Sequence, residues 1–260
     1  MLRVAVCGAG GQMGRAVTRA VLDDPELHLA GGVDPGASAG VDLGILTGTQ
    51  PVGLTVCHDL VSLLSAGPVD VMVDFTRASA AMANAREALG AGADAVIGTT
   101  GLSAGDLLEL QELSAHTGRA VLVAPNFSIG ALLLIKFAAL AASHFRTREI
   151  VETHRPEKLD APSGTAVRLA EALTDRATGS REAPSQPARG ETVEGVPVHS
   201  LRLAGFVARH DVFFSSPGER LILHHEVTDR LSFIPGVLLA IKQLAGTGRY
   251  YYGLEQLLRL

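Results

Sequence analysis

Three shortages narrow what this chain can be. Basic residues are not in excess: 22 Lys and Arg stand against 27 Asp and Glu, a net charge of −5. That balance argues against a sequence-independent nucleic-acid surface. Cysteine is scarce. Cys7 and Cys57 cannot build a disulfide framework and lack metal-ligand spacing, so both are expected as small buried residues of a sheet and no metal site is expected. Long apolar runs are missing too, so no segment is expected to span a membrane. The N-terminus passes directly into a strand pattern, Leu2-Arg3-Val4-Ala5-Val6-Cys7, without a charged leader and apolar signal region. The expectation is a soluble cytoplasmic protein. The 260 residues, 47% hydrophobic and 19% charged, suffice for one large or two small domains with a buried core.

The first half alternates strand and helix patterns. Candidate strands are Arg3–Cys7, Leu27–Val33, Leu54–Cys57, Val69–Asp74, Ala93–Ile97 and Ala120–Ala124, with helical spacing at Met13–Leu22, Ala78–Leu89 and Ala104–His116. Such alternation implies right-handed crossovers and a parallel sheet covered on both faces. After about Asn126 the pattern changes. An apolar helix over Ile129–His144 leads into strands at Arg148–Thr153, His199–Leu203, Asp211–Ser215 and Leu221–Val227, the last two joined at Pro217-Gly218. The fold class is therefore α/β: a Rossmann-type parallel-sheet domain plus a smaller α+β domain with a mixed or antiparallel sheet. Thr178–Val196 reads as a long exposed loop. Helical patterns at Val237–Ala245 and Leu254–Leu258 can return to the first domain. The division expected is 1–125, completed by 235–260, for dinucleotide binding, and 126–234 for substrate binding and assembly.

Gly8-Ala9-Gly10-Gly11-Gln12-Met13-Gly14 lies between the first strand and the first helix. Glycines there let the backbone turn tightly and approach a pyrophosphate, while the helix start supplies N–H donors and a favourable dipole. Asp34, 20 residues past Gly14, is placed to accept from a ribose 2′-hydroxyl. Its neighbour Pro35 offers no charge for a 2′-phosphate, which leans the reading toward NADH over NADPH, with Arg15 and Arg77 as candidate phosphate partners. The other reading of Asp34 is a solvated turn residue. Asp74-Phe75-Thr76, Gly98-Thr99-Thr100-Gly101 and Ala124-Pro125-Asn126-Phe127-Ser128 follow later strands. They belong to the same ligand-collecting edge, beside the nicotinamide half of a dinucleotide.

The densest chemistry is in Glu152-Thr153-His154-Arg155-Pro156-Glu157-Lys158-Leu159-Asp160-Ala161-Pro162-Ser163-Gly164-Thr165-Ala166. His154 ends a strand and Lys158 follows four residues later, so an imidazole and an ammonium are available as proton donors near neutral pH. Ser163, Gly164 and Thr165 open a helix with hydroxyl and N–H donors suited to a carboxylate. The plainer alternative is that Asp160 or Ser163 only caps the helix while His154 and Lys158 are solvated. Elsewhere, alternation along His224-His225-Glu226 sends one imidazole inward and one outward, His199 and His210 have no partner visible in the sequence, and Tyr250-Tyr251-Tyr252 reads as packing or interface.

These blocks resemble the 4-hydroxy-tetrahydrodipicolinate reductase (dihydrodipicolinate reductase) family. His154, Lys158 and Asp160–Ala166 look like its signature. Val4–Gly14, Asp74–Thr76, Gly98–Gly101, Pro125–Ser128, His199–Arg202 and Gly218–Arg220 match in order over nearly the whole chain. The resemblance implies the diaminopimelate route to lysine, a cyclic dicarboxylate substrate, and hydride transfer from NADH or NADPH. His154 would be the proton donor or acceptor and Lys158 the proton donor. Ser163, Gly164 and Thr165 would hold a substrate carboxylate. Gly8 to Met13, Asp34, Gly98, Thr99, Thr100 and Pro125 to Ser128 would line the cofactor. The family usually has two adjacent histidines, and the second position here is Arg155. A guanidinium can bind a carboxylate bidentately, so Arg155 is expected to keep that contact. A homotetramer built through the second-domain sheet, and hinge closure, are further implications. Another nicotinamide-dependent dehydrogenase would fit the first half equally but leaves His154–Thr165 unexplained. A catalytically silent dinucleotide-binding regulator is disfavoured by the intact His154/Lys158 pair.

Overall fold

The computed structural model describes residues 1–174 and 187–258. They form two compact units, Met1–Phe127 with Phe233–Leu260, and Ser128–Ser232. The chain enters the first unit through β1 (Leu2–Cys7), α1 (Gln12–Asp23), β2 (Leu27–Val33), α2 (Leu43–Leu46), α3 (Leu60–Ala66), β3 (Val71–Asp74), α4 (Ala78–Gly90), β4 (Asp94–Ile97), α5 (Ala104–Thr117) and β5 (Val121–Val123). The second unit holds α6 (Ile129–Ala142), β6 (Thr147–His154), α7 (Gly164–Leu173), β7 (Glu191–Val193), β8 (Val196–Arg202), β9 (Ala208–Ser216) and β10 (Glu219–Val227). The chain then returns to the first unit as α8 (Ile234–Leu244) and β11 (Tyr250–Tyr252).

The first sheet has the order β11-β5-β4-β3-β1-β2 and is parallel throughout. Helices cover its faces, which is why the central strands read as unbroken apolar runs: Val4, Ala5, Val6 and Cys7 in β1 and Val71, Met72 and Val73 in β3 are all fully buried. The chain reverses direction across the sheet between β1, β2 and β3, so the carboxyl ends of β1 and β3 flank a topological switch point. Ligands of open α/β sheets collect there. Local signals set the helix ends. Ser103 and Asp106 form a reciprocal capping box at α5, and Asp59 accepts from the Ser62 amide at α3.

The second sheet is mixed, in the order β10-β9-β6-β8-β7, with only β6 and β8 running parallel. Period-two alternation divides its residues between two faces. Ile150, Val198, Val212 and Phe214 pack with Leu134 and Ala138 of α6 and Leu169 and Leu173 of α7. The opposite face carries exposed Phe213, Ile222 and Leu201. It contains a depression of about 420 Å³ bordered by Arg148, Glu149, Val151, His199, Phe213 and Ile222.

Several expectations are corrected. Leu54–Cys57 is not a sheet strand: it touches the sheet by a single bridge from Cys57 to Val33, because β2 has ended where it arrives. Cys57 is accordingly only half-buried, whereas Cys7 lies inside β1. Leu254–Leu258 is not a helix of its own but a single 3-10 turn at Leu254–Gln256. Tyr250-Tyr251-Tyr252, read as packing or interface, forms β11, an edge strand paired with β5, and Tyr250 packs against the core. Of the loop expected over Thr178–Val196, residues 178–186 lie outside the described residues, and the remainder contains a 3-10 turn at Pro187–Arg189 and β7. Among the described residues no helix is long and apolar enough to cross a membrane.

Candidate active site

The glycine loop is shaped by close backbone approach. Gly8 adopts φ +80°, and a Cβ there would lie 2.7 Å from the Phe75 carbonyl oxygen, so the loops after β1 and β3 touch. At Gly14 a Cβ would drive into the Gly8 carbonyl and lie 2.9 Å from the Ala9 Cα. This glycine lets α1 sit directly on the end of β1. The N-cap of α1 is Gly11, with no side chain capping the first turn. The Asp34 carboxylate at the end of β2 accepts from the amides of Gly10 and Gly36, both at 2.9 Å. The Arg15 guanidinium donates to the Gly10 carbonyl at 2.9 Å. Glycines at the close approaches and a helix start without a side-chain cap are what a pyrophosphate requires.

Beside this loop, the fully buried Asp74 organises the ends of β3 and β4. One carboxylate oxygen accepts from the Thr76 amide at 2.9 Å, the Thr76 hydroxyl at 2.7 Å and the Thr99 hydroxyl at 2.7 Å. The other accepts from Asn84 at 2.8 Å. A Cβ on Gly98 would strike the Phe75 ring, which packs against Phe127 at 5.7 Å. Gly8, Ala9, Gly10, Asp34, Gly98, Thr99 and Phe127 are thus drawn together at one edge of the sheet. Gly11, Gln12, Thr100 and Pro125 are exposed, and Met13 and Asn126 half-buried, on the same loops. Ser128 is buried in the second unit, where its hydroxyl caps α6 through the Ala131 amide and lies 3.3 Å from His225 Nε2.

The second unit concentrates its polar groups at the carboxyl end of β6. Strand register lines up Glu152 with Ser200 and His210, and His154 with Arg202 and Ala208. All lie on the face that carries the apolar core two residues earlier. His154 is buried, and its Nδ1 hydrogen-bonds to the fully buried Glu152 carboxylate. Arg202 donates to the other Glu152 oxygen at 3.0 Å, to the Lys158 carbonyl at 3.2 Å and to the Asp160 carbonyl at 2.6 Å. Burial alone would raise the Glu152 pKa. Hydrogen bonds from His154, Ser200 and Arg202 outweigh that and hold it at about 2. His210 meets the His154 ring edge-on at 5.3 Å, and its Nε2 lies 3.2 Å from the Ser163 hydroxyl. Burial, helped by neighbouring His154, pushes the His210 pKa down to about 4.

Of the residues expected here, the structure unites His154, Ser163 and, through Arg202, the Lys158 loop. The Lys158 ammonium donates to both Asp160 oxygens at 2.8 Å, and this bond, more than any other, lowers the Asp160 pKa. Ser163 does cap α7, accepting from the Ala166 amide at 3.2 Å, so the capping half of the alternative reading is met at the same residue. Gly164 and Thr165 follow in the first turn. Arg155 is exposed and lies 3.9 Å from Glu157. His224 bonds to Asp211 at 2.6 Å on the open face of the sheet, while the His225 ring packs over Gly130. Sequence reasoning gave no role to Glu152, Arg202 or His210, and it placed Asp74 at the ligand-collecting edge without its organising hydrogen bonds. Glu152 did leave a signal, since a residue two before His154 on a strand shares its face.

Family comparison adds an independent observation. The family descriptions "Dihydrodipicolinate reductase, N-terminus" and "Dihydrodipicolinate reductase, C-terminus" match residues 2–127 and 130–258. The chain belongs to the dihydrodipicolinate reductase family. The 4-hydroxy-tetrahydrodipicolinate reductase of Moorella thermoacetica is 44% identical over 262 residues, covering 99% of this chain and 98% of its own. The enzyme of that name from Mycolicibacterium smegmatis is 38% identical over 266 residues, covering both chains in full. A dipicolinate-bound dihydrodipicolinate reductase from Paenisporosarcina sp. TG-14 superposes with a TM-score of 0.85 at 34% identity, over 99% of this chain and 100% of its own. An NAD-bound WlbA dehydrogenase from Thermus thermophilus, at 16% identity, covers 99% of this chain and 91% of its own and shares the fold with a TM-score of 0.58. The first unit is the family's Rossmann domain for NAD(P)H.

Proposed function

We propose that this chain reduces 4-hydroxy-tetrahydrodipicolinate to tetrahydrodipicolinate with NADH or NADPH, in the diaminopimelate route to lysine. Family membership over both halves of the chain carries the reading, and the chemistry at the end of β6 accords with it. The nicotinamide, when bound, supplies hydride. His154, held through Nδ1 by Glu152, exchanges a proton at its other nitrogen. Lys158 is the proton donor, and its cation also stabilises negative charge that grows on the substrate. The Ser163 hydroxyl and the amides of Gly164 and Thr165 at the start of α7 hold one substrate carboxylate. Arg155, whose 3.9 Å pairing with Glu157 is loose and exposed, contacts a second one.

On the cofactor side, Gly8 to Met13 cradle the pyrophosphate. Gly98, Thr99, Thr100 and Pro125 to Ser128 border the nicotinamide half. Asp34 accepts the ribose hydroxyls, and its carboxylate beside Pro35 would repel a 2′-phosphate, which favours NADH. Exposed Phe213, Ile222 and Leu201 on the open face of the mixed sheet support assembly through that face as a homotetramer. A cytoplasmic location follows from the pathway.

The test is NAD(P)H oxidation by purified protein given freshly made 4-hydroxy-tetrahydrodipicolinate. Consumption is expected, and none with cofactor still bound would overturn the reading. Lys158→Ala should lower kcat about 100-fold or more while leaving the Kd for NADH unchanged. An equal loss of NADH binding would refute the role given to Lys158.

A further inference from the structure

The core face of β6 is aliphatic at Ile150, which lies between Val198 and Val212. One step along, the same face becomes Glu152, between Ser200 and His210. Packing does not call for a carboxylate there, since its neighbours toward the core are hydrocarbon. Burying an ionised carboxylate with no exposure is unfavourable unless its oxygens are filled. Here each has a dedicated donor, His154 Nδ1–H on one and the Arg202 guanidinium at 3.0 Å on the other. The same guanidinium binds the Lys158 and Asp160 carbonyls, so one side chain fixes both the carboxylate and the loop that carries the ammonium.

We propose that Glu152 is the positioning residue of the catalytic imidazole, holding His154 as the Nδ1–H tautomer with Nε2 as the proton-exchanging atom, and that Arg202 locks this carboxylate and the Lys158 loop into one frame. The proposal rests on the reading of His154 as the proton-exchanging group. The charged and titratable groups around the ring are Glu152 on its own strand, Arg202 from β8, His210 from β9 with His225 beyond it on β10, and Lys158 with Asp160 in the following loop. Among these Glu152 is the anion in direct contact with the imidazole. It orients the ring and fixes its tautomer, as second-layer carboxylates do for histidines in other sites. Its depressed pKa keeps it charged throughout the working pH range.

Glu152→Gln is the direct test. A glutamine offers one acceptor oxygen where two donors, His154 Nδ1–H and Arg202, now have one each. Turnover should fall by roughly 10- to 100-fold with the KM for NAD(P)H unchanged. Nitrogen-15 imidazole spectra, with His154 assigned by its disappearance in His154→Gln, should show the Nδ1–H tautomer in the wild type and a mixed or reversed tautomer in Glu152→Gln. A wild-type Nε2–H tautomer would overturn the proposal. So would a Glu152→Gln enzyme whose kcat falls with its tautomer unmoved, which would make Glu152 a packing residue only. If Glu152→Gln does not fold, Arg202→Lys replaces it. A lysine cannot reach the carboxylate and both carbonyls at once, so kcat should fall in the same range, and wild-type turnover would refute the shared frame. The tautomer readout needs no substrate, so absence of reductase activity in the wild type would sink the functional reading without deciding this one.

Discussion

His210 offers a quantitative check on the electrostatics around β6. It is 3% exposed, its Nε2 lies at the Ser163 hydroxyl, and its Nδ1 is buried without a hydrogen-bond partner. Burial and the adjacent His154 lower its pKa from 6.5 to about 4. Because the folded pKa is depressed, the unfolded chain takes up a proton that the folded chain refuses. Stability from the neutral form is therefore fully present above about pH 6.5 and is lost as pH falls toward the folded value. Between about pH 7.5 and about pH 5, where the carboxylates still contribute little, the expected loss from this one group is about 2 kcal/mol. With a urea slope of about 2 kcal/mol per molar, that is a midpoint change of about 1 M. His210→Gln keeps a hydrogen-bonding group near Ser163 but cannot titrate. Urea unfolding followed by far-UV circular dichroism at both pH values should show the wild type losing about 1 M more than the variant. Equal losses in the two proteins would mean that His210 is solvated or protonated in the fold, and the argument for a neutral buried imidazole would fail.

Two further outcomes test the cofactor side. Gly14→Ala gains about 1 kcal/mol of helix propensity, but its Cβ would meet the Gly8 and Ala9 backbone, an overpacking that costs about 1–3 kcal/mol and displaces the loop. Calorimetry should show a lower melting temperature, and fluorescence titration an NADH Kd raised about tenfold or more. Gly11→Ala, whose Cβ would meet only the Gly8 carbonyl at 3.2 Å, should melt close to the wild type; a wild-type melting temperature and Kd in Gly14→Ala would refute the close-approach argument. Asp34→Ala removes the carboxylate that would face a 2′-phosphate, so the NADPH-to-NADH ratio of kcat/KM should rise about tenfold. An unchanged ratio would show that selectivity resides elsewhere, with Arg15 and Arg77 the first residues to examine.

The parts of this molecule legible in its sequence are those set by short-range physics. Glycines at Gly8 to Gly14 and the apolar runs of β1, β3 and β4 mark a parallel nucleotide-binding sheet because tight turns and doubly covered strands leave local traces. Short edge elements do not. β11 is three tyrosines, too brief to show a period, and it is a strand only because β5 offers an unpaired edge. Leu54–Cys57 errs the other way, since its pairing stops at isolated bridges from Cys57 to Val33 and from Thr55 to Asp42 and never extends into a ladder. The candidate site divides along the same line. His154, Lys158 and Ser163 lie within ten residues of one another and can be read together. Arg202 and His210 reach them only through the pairing of β6 with β8 and β9, a register that no local pattern encodes. Glu152 falls between these cases. The period of two that places Ile150 in the core also places Glu152 and His154 on that face, so a carboxylate next to the imidazole is deducible from the strand alone. Its charge is not, because an isolated buried glutamate would be protonated. The register that delivers Arg202 and Ser200 makes it an anion, and so an acceptor for the His154 ring.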